Sequence, residues 1–149
     1  MLKLNYKKLL IKKNKIPITC LTAYSKPLAN ILDGKIDLIL IGDSLGTTLY
    51  GMQNTRGVTI EMMKNHGKAV VLNTKFSMTI IDMPYNTYRN KKEALKNALD
   101  ILAFTKADFI KIETDKTNIN IVEHLTKNKI KVVSHIGVTP QKFRNFSKI

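Results

Sequence analysis

The chain has 149 residues and a mass of 16.9 kDa, which is the size of one ordinary domain. Hydrophobic residues make up 44% of it and charged residues 24%, a composition that excludes wholesale disorder. No run of about 18 apolar residues is present that could cross a membrane. The one cysteine, Cys20, excludes an internal disulfide framework and a cysteine-based zinc cluster, and its apolar neighbours predict a small buried side chain.

The charge is strongly basic, with 25 Lys and Arg against 11 Asp and Glu and a net charge of +14. Such a chain can bind nucleic acid through its phosphates. The lysines are scattered, however, with few aromatic residues among them to stack on bases, and only three of the basic residues are arginine. We therefore favour a solvated basic surface and keep a basic nucleic-acid-binding α/β module as the less favoured alternative.

Lysines are frequent near the N-terminus, from Lys3 to Lys15. The apolar run 9–11 among them is too short for a signal peptide, and no arginine precedes Arg56, which argues against an organellar transit peptide. We predict a cytoplasmic protein that does not bind a membrane.

Short apolar runs rich in Ile and Val alternate with helical patterns along the chain. In chain order these are strand 16–23, helix 26–32, strand 37–42, helix 59–72, strand 76–82, helix 91–105, strand 107–113, helix 118–127 and strand 130–135. Thr59 suits the N-cap of the second helix, and Pro27 lies where the first turn of a helix tolerates proline.

This alternation predicts an α/β fold with a parallel sheet. Two architectures fit it. A doubly wound sheet of five strands is complete at this length, whereas a βα barrel needs eight strands and about 250 residues, so that five strands would form an incomplete barrel. Periodicity does not choose between them, and either one would be a single domain over residues 1–149.

Four of the predicted strands end in a residue that can take part in chemistry: Asp43, Asp82, Glu113 and His135. The carboxyl ends of parallel strands meet at one edge of a sheet, so three carboxylates should converge there. Lys111 shares a face with Glu113. Alternation likewise predicts that Ile41 shares the inward face with Asp43.

Converging carboxylates need a counter-charge, because two of them 4 Å apart repel by about 4 kcal/mol at an effective dielectric constant of about 20. One of them can take up a proton, Lys111 can neutralise part of the charge, or a hard cation such as Mg²⁺ can bind between them. The pattern alone leaves open whether they hold a metal or cap helices and pair with surface lysines.

Residues 42–46, Gly-Asp-Ser-Leu-Gly, match the G-x-S-x-G string of serine hydrolases. That motif requires a helix directly after the serine, and the residues that follow Ser44, with Gly51 closing them, predict none. No histidine in the chain has an aspartate three residues before it. We therefore predict a tight turn permitted by two glycines rather than a nucleophilic Ser44. His66 and His124 fall within predicted helices without a second metal ligand four residues on, so we predict that each is structural or exposed.

Taken together, these segments resemble the N-terminal part of the ketopantoate hydroxymethyltransferase (3-methyl-2-oxobutanoate hydroxymethyltransferase) family. Order and spacing hold from about residue 10 to residue 141, and the most specific segments are Gly-Asp-Ser-Leu-Gly at 42–46 and His-Ile-Gly-Val-Thr-Pro-Gln at 135–141. The other matching segments are Ile-Thr-Cys-Leu-Thr-Ala-Tyr at 18–24, Asp-Leu-Ile-Leu-Ile at 37–41, Val-Thr at 58–59, His66, Asp-Met-Pro-Tyr at 82–85 and Lys-Ile-Glu at 111–113.

The resemblance implies an incomplete parallel βα barrel of the phosphoenolpyruvate/pyruvate superfamily, with about five of eight strands. It implies transfer of a hydroxymethyl group from 5,10-methylenetetrahydrofolate to 3-methyl-2-oxobutanoate, which gives 2-dehydropantoate in pantothenate biosynthesis by Mg-assisted enolate chemistry. The family assembly it implies is a cytoplasmic homodecamer.

The resemblance also implies roles for individual residues. Asp43, Asp82 and Glu113 would surround Mg²⁺, directly or through water. The residues that would bind or line the keto-acid site are Asp43, Ser44, Asp82, Lys111 and His135.

The chain departs from the family pattern at three pairs. Ser-Lys at 25–26 replaces an acidic–aromatic pair, Arg-Gly at 56–57 replaces Leu-Pro, and Thr-Asp at 114–115 replaces Gly-Gly. The last two predict altered loops at the pocket. The general-base glutamate of the family lies in later strands and has no counterpart here, so we expect no catalytic base in this chain.

We therefore expect the 149 residues alone to be inactive and to self-associate through open strand edges, unless a second polypeptide supplies a missing C-terminal half. The alternative within this resemblance is a non-catalytic remnant that still binds the keto acid.

Overall fold

A computed structural model describes residues 4–143, whose elements follow the alternation of apolar runs and helical patterns. Lys3 and both ends of the predicted domain, residues 1–3 and 144–149, lie outside the described residues. The strands are β1 Cys20–Thr22, β2 Leu38–Ile41, β3 Met78–Asp82, β4 Phe109–Glu113 and β5 Val132–His135. The helices are α1 Tyr6–Lys12, α2 Lys26–Leu32, α3 Leu45–Leu49, α4 Ile60–Val71, α5 Lys91–Thr105 and α6 Ile119–Lys127, with 3₁₀ turns at Thr55–Gly57 and Pro140–Lys142.

Side-chain caps define where the longer helices begin. The Oδ1 atom of Asn90 accepts from the backbone N of Glu93 at 2.9 Å ahead of α5, and Thr59 accepts from the N of Met62 at 3.2 Å ahead of α4. Helix α5 ends at Lys106, whose φ of 63° breaks the helical path. The predicted bounds of α2 and α5 are confirmed, and those of α4 and α6 differ only at residues that cap them.

The five strands form one parallel sheet in the order β1-β2-β3-β4-β5, so each strand pairs with its neighbour in sequence. A doubly wound sheet reverses its strand order at a switch point, and this sheet does not. Strands added in one constant direction are typical of a βα barrel, and the fold is therefore five consecutive strands of one.

The sheet has a different apolar cluster on each face. The helix-side core includes Ile39, Ile41 and Ile81, whereas Leu9 of α1 packs on the other face with Met78, Ile80 and Phe109. The prediction that Ile41 shares the inward face with Asp43 is therefore wrong. Because β2 ends at Ile41, Asp43 lies in the turn beyond it and reaches the site by the path of that turn.

Two short helices were not predicted from the sequence. Helix α1 lies within the lysine-rich N-terminal segment, and α3 begins directly after Ser44, where we predicted no helix. Gly46 allows α3 to pack closely, because a Cβ atom there would lie 2.6 Å from Cγ2 of Val58. The glycine that was assigned to a turn thus serves close packing instead.

Strand β1 is an exposed edge of the sheet. Among residues 4–143 it pairs only with β2, just as β5 pairs only with β4, and its three residues are all exposed. The prediction of a buried Cys20 is wrong for this reason. Over the same described stretch, no helix is long and apolar enough to span a bilayer.

Candidate active site

Five of the residues singled out in the sequence meet at the carboxyl end of the sheet. Asp82 and Glu113 are the last residues of β3 and β4, and the register places Asp82 beside Lys111. Glu113 in turn lies beside His135 of β5, and Asp43 follows the end of β2. The parallel sheet brings these side chains to one edge, as its geometry requires.

Asp82 is the most deeply buried of the three carboxylates and has two partners. Its Oδ1 atom lies 2.7 Å from Nζ of Lys111, and its Oδ2 atom accepts from the backbone N of Asp43 at 3.1 Å. Burial raises the pKa of Asp82, and the charge of Lys111 opposes that rise. Asp82 therefore joins the turn after β2 to the inner face of β4.

Gln141, in the 3₁₀ turn after β5, connects the other two carboxylates. Its side-chain Nε2 atom donates to Oδ2 of Asp43 at 2.7 Å, and its backbone N donates to Oε1 of Glu113 at 3.1 Å. We did not predict Gln141 as a site residue. The sequence signal that could have identified Gln141 is its position in residues 135–141, one of the two most specific segments of the family resemblance.

The carboxylates carry more negative charge than the one lysine offsets. Burial, reinforced by the charge of Asp82, raises the pKa of Asp43 to about 6. Burial likewise raises the pKa of Glu113 to about 7, with further contributions from Asp43 and Asp82. A site that resists ionisation in this way is suited to receive a positive charge.

The residues fit a magnesium ion that is only partly held by protein. Among residues 4–143, no group of three or more His, Cys, Asp or Glu side chains is arranged to hold a metal ion. Mg²⁺ commonly takes one or two carboxylates and completes its shell with water and substrate oxygens. Asp43 and Asp82 offer two such carboxylates at a site with excess negative charge, and Gln141 links Asp43 to Glu113.

Ser44 has a tyrosine rather than a histidine as its partner. Its Oγ atom lies 2.8 Å from the hydroxyl of Tyr24. The ring of His66 contacts the carbonyl oxygen of Tyr24 through Nδ1 at 2.6 Å and the hydroxyl of Tyr50 through Nε2 at 2.9 Å. His66 therefore ties loops together and does not activate Ser44.

His135 is the last residue of β5 and lies beside Glu113 at the site. Burial and the positive charge of Lys111 lower the pKa of His135. Its Nδ1 atom is buried and has no hydrogen-bond partner within the described part of the chain. A neutral imidazole with a free nitrogen can line a pocket and offer a hydrogen bond to a ligand.

The two loop departures have different outcomes. Arg56 stacks over the ring of Tyr85 at 3.8 Å, donates to its hydroxyl, and reaches the carbonyl oxygen of Gln141 at 3.5 Å. Thr114 and Asp115 need no glycine, because neither has a positive φ, and Thr114 N donates to the carbonyl of His135 at 2.8 Å. Arg56 thus adds contacts at the site. The backbone at Thr114 and Asp115 keeps an ordinary conformation.

A cavity of about 720 Å³ opens beside Glu113 and Gln141. Tyr85 and Tyr88 form part of its wall. The basic residues that line it are Arg89, Lys91, Lys92 and Lys142. A cavity of this size and lining can take a ligand that has an aromatic ring and negative charges.

Comparison with known sequences agrees with this arrangement. A sequence model described as ketopantoate hydroxymethyltransferase matches residues 3–149. A 3-methyl-2-oxobutanoate hydroxymethyltransferase of Pelagibacter ubique is 53% identical over 135 residues, which cover 91% of this chain and 52% of that protein. Proteins of the same name from Rhizobium etli and Rhodospirillum rubrum are 47% and 41% identical to this chain. Each of these two matches covers 84% of this chain, and they cover 46% and 45% of the two relatives.

The chain thus spans about half the length of the curated relatives it matches. The match runs through every strand of the sheet and every residue placed at the site above. The chain belongs to the ketopantoate hydroxymethyltransferase family, a family of transferases built on the βα barrel of the phosphoenolpyruvate/pyruvate superfamily.

Proposed function

We propose that residues 1–149, as a single partial barrel domain, form the keto-acid-binding half of an enzyme that makes 2-dehydropantoate. The reaction transfers a hydroxymethyl group from 5,10-methylenetetrahydrofolate to 3-methyl-2-oxobutanoate in pantothenate biosynthesis. The observation that carries the proposal is the buried Asp82–Lys111 pair next to Asp43 at the carboxyl end of the sheet. The identity to hydroxymethyltransferases supports it.

In this proposal Asp43 and Asp82 hold Mg²⁺, and Glu113 contacts it through water. An ion held there would supply Lewis-acid chemistry, which would polarise the keto oxygen of the substrate and make its C3–H more acidic. The Nζ atom of Lys111 is a fixed positive charge at the site, and it stabilises the negative charge that develops on that oxygen. Ser44 and His135 offer polar atoms that orient the keto acid.

The folate donor is proposed to bind in the 720 Å³ cavity. That cavity shares Glu113 and Gln141 with the keto-acid site, so a one-carbon unit in it can lie near the substrate. Tyr85 and Tyr88 provide faces for an aromatic ring. The basic residues at its wall complement the carboxylates of a glutamate tail.

No residue of this chain is proposed as the general base. The 149 residues are therefore expected to bind the keto acid without turning it over, and a C-terminal half would supply the base. The cytoplasmic location and the assembly of ten copies belong to the same proposal, on the strength of the family resemblance.

Calorimetry with 3-methyl-2-oxobutanoate, with and without Mg²⁺, tests the binding part. We expect binding that requires Mg²⁺ and that is lost in Asp82→Asn, which removes the charge at nearly constant shape. Asp100→Asn is the matched control, since Asp100 lies exposed on α5. Binding that is absent from the unaltered chain, or unaffected by Asp82→Asn, would contradict the proposal.

Turnover is tested by mixing the 149-residue chain with the remaining half of the Pelagibacter ubique relative. We expect no product from either half alone and formation of 2-dehydropantoate from the mixture. Binding without product in the mixture would favour the non-catalytic remnant instead. Product from the 149 residues alone would overturn the assignment of the base to the other half.

A further inference from the structure

Gln141 is 4% exposed, and all of its polar groups are hydrogen-bonded. Its backbone N donates to both oxygens of Glu113, at 3.1 and 3.2 Å. Its Nε2 atom donates to Oδ2 of Asp43 at 2.7 Å and to the carbonyl of Met83 at 3.0 Å. Its Oε1 atom accepts from the hydroxyl of Tyr88 at 2.5 Å, and its carbonyl accepts from Arg56. One residue therefore connects the loops after β2, β3 and β5 with the last residue of β4.

These partners leave the amide of Gln141 one orientation. The two groups that face Nε2 are a carboxylate and a carbonyl, which only accept, and the group that faces Oε1 is a phenol that donates. A flipped amide would turn its oxygen toward the carboxylate of Asp43. The amide therefore presents a fixed donor to Asp43.

Asp43 needs such a partner because no strand holds it. It follows the end of β2, and β3 separates it from β4, which carries Glu113. The backbone N of Asp43 donates a hydrogen bond to Asp82, but this bond does not involve the carboxylate of Asp43. Gln141 is the residue that ties this side chain to Glu113.

We propose that Gln141 is a positioning residue, which fixes the carboxylates of Asp43 and Glu113 relative to each other before a divalent cation and the keto acid bind. This inference rests on the proposed function, because it takes Asp43 as a ligand of that cation. Residues that orient metal ligands contribute strongly to metal affinity, and their loss typically weakens it by about 10–100-fold.

The chemistry of the glutamine side chain suits this role. A lysine at position 141 would neutralise the negative charge of Asp43, which attracts the cation. A glutamate there would be repelled by the carboxylate of Asp43 and by the carbonyl oxygen of Met83. A neutral donor orients the carboxylate and leaves its charge in place. Tyr88 and Arg56 act behind Gln141, by holding its amide oxygen and its backbone carbonyl.

The test measures the affinity of the 149-residue chain for Mn²⁺, with the free ion followed by electron paramagnetic resonance. Gln141→Met keeps the length of the side chain and the backbone N–H to Glu113, and it removes the donor to Asp43. We expect its Kd for Mn²⁺ to rise about 10-fold. Gln53→Met is the matched control, since Gln53 is the other glutamine of the chain and its side chain is exposed, and its Kd should be unchanged.

Tyr88→Phe provides a second, milder variant. It removes only the hydroxyl that fixes the amide, so we expect a rise in Kd of about 3-fold, smaller than that of Gln141→Met. In the double variant it should add little, because the hydroxyl of Tyr88 hydrogen-bonds to Gln141 and not to Asp43. Thermal unfolding of each variant, followed without metal, separates a change in affinity from a loss of the fold.

An unchanged Kd in folded Gln141→Met, or losses that add fully in the double variant, overturns the positioning role. If Gln141→Met does not fold, an unchanged Kd in Tyr88→Phe overturns it equally. A wild-type chain that binds no Mn²⁺ contradicts the proposed function itself, and the inference falls with it.

Discussion

Asp33 stabilises the chain far from the active site by accepting three backbone hydrogen bonds. It follows the end of α2, and its two oxygens accept from the N atoms of Lys75, Phe76 and Ser77 at 2.7, 2.9 and 2.8 Å. Burial acts to raise the pKa of Asp33, but these hydrogen bonds together outweigh it and hold the pKa below its usual value. The ionised side chain therefore closes the loop that leads into β3.

We predict that Asp33→Asn lowers the free energy of unfolding at pH 7 by about 2 kcal/mol, since each hydrogen bond to a charged group contributes about 1.5–3 kcal/mol. The folded pKa lies below the unfolded value of about 3.9, so this contribution is complete above about pH 5 and is lost as the pH falls through the folded pKa. Urea unfolding at pH 7 and pH 3 measures it. Asp100→Asn serves as the exposed control, and an equal deficit at both pH values would count against the mechanism.

At the scale of residues, the sequence predicted the carboxylates better than the groups that hold them. Asp82 and Glu113 end apolar runs, and that local pattern places them at the edge of any parallel sheet. Gln141 bonds to Asp43, which lies 98 positions away, and no local pattern carries such a contact. The same limit explains the error about Ile41, because the alternation rule was continued past the point where β2 ends.

At the scale of elements, α1 depends on packing against the sheet, to which Leu9 contributes the buried side chain. It has seven residues, too few for a helix to be stable on its own, and Leu9 is its buried residue. Leu9 packs with Met78, Ile80 and Phe109 on the face of the sheet opposite the helix-side core. Lys12 adds an ion pair with Asp37 at 2.5 Å.

We predict that Leu9→Ala exposes α1 to hydrogen exchange without changing the active site. The loss of packing should cost about 2 kcal/mol or more, comparable to the lower range for Leu→Ala in cores. Amide exchange of residues 6–12 measures the effect, and keto-acid binding should persist. Leu10→Ala in the same helix is the control, because Leu10 is 49% exposed, and equal loss of protection in both variants would refute the role of Leu9.

Helices α4 and α5 could be predicted closely, and the side chains of Thr59 and Asn90 cap their first turns. The strands were predicted too long at their beginnings, since 16–19 is apolar but precedes β1. Reciprocal hydrogen bonds instead join two pairs of neighbouring strands near their first residues. Thr19 N donates to Asp37 and Asp37 N donates to the Thr19 hydroxyl, both at 3.0 Å, and Thr79 and Asp108 repeat this exchange. Polar pairs of this kind lie outside a pattern of hydrophobicity.

At the scale of the whole molecule, the two outer strands present unpaired backbone groups within the described residues. Leu21 on β1 is 53% exposed, and Ile136 and Val138 after β5 are 73% and 56% exposed. Open edges flanked by apolar side chains favour pairing with another chain. The 149 residues should therefore self-associate.

We predict that the weight-average mass of the chain rises with concentration in sedimentation equilibrium, and that Leu21→Lys reduces this rise. A lysine on an edge strand opposes further pairing. Leu99→Lys is the control, because Leu99 is 51% exposed on α5 and lies away from both edges. A monomer at all concentrations, or an equal effect of both substitutions, would contradict the role of the edge.

The choice between a barrel and a doubly wound sheet required the structure. Both architectures repeat the same strand–helix unit, so their hydrophobic periods are alike. They differ in the side on which each new strand is added, which no residue pattern records. The family resemblance implied the barrel, and the strand order confirms it.

That strand order also has a consequence for how the chain folds during synthesis. The first residues of neighbouring strands are 18 positions apart for Cys20 and Leu38 and 40 for Leu38 and Met78. Each loop to be closed is short, so its entropic cost is modest. A nascent polypeptide can therefore add one unit after another to a growing edge as it leaves the ribosome. In a doubly wound sheet, by contrast, the central strand waits for partners on both sides.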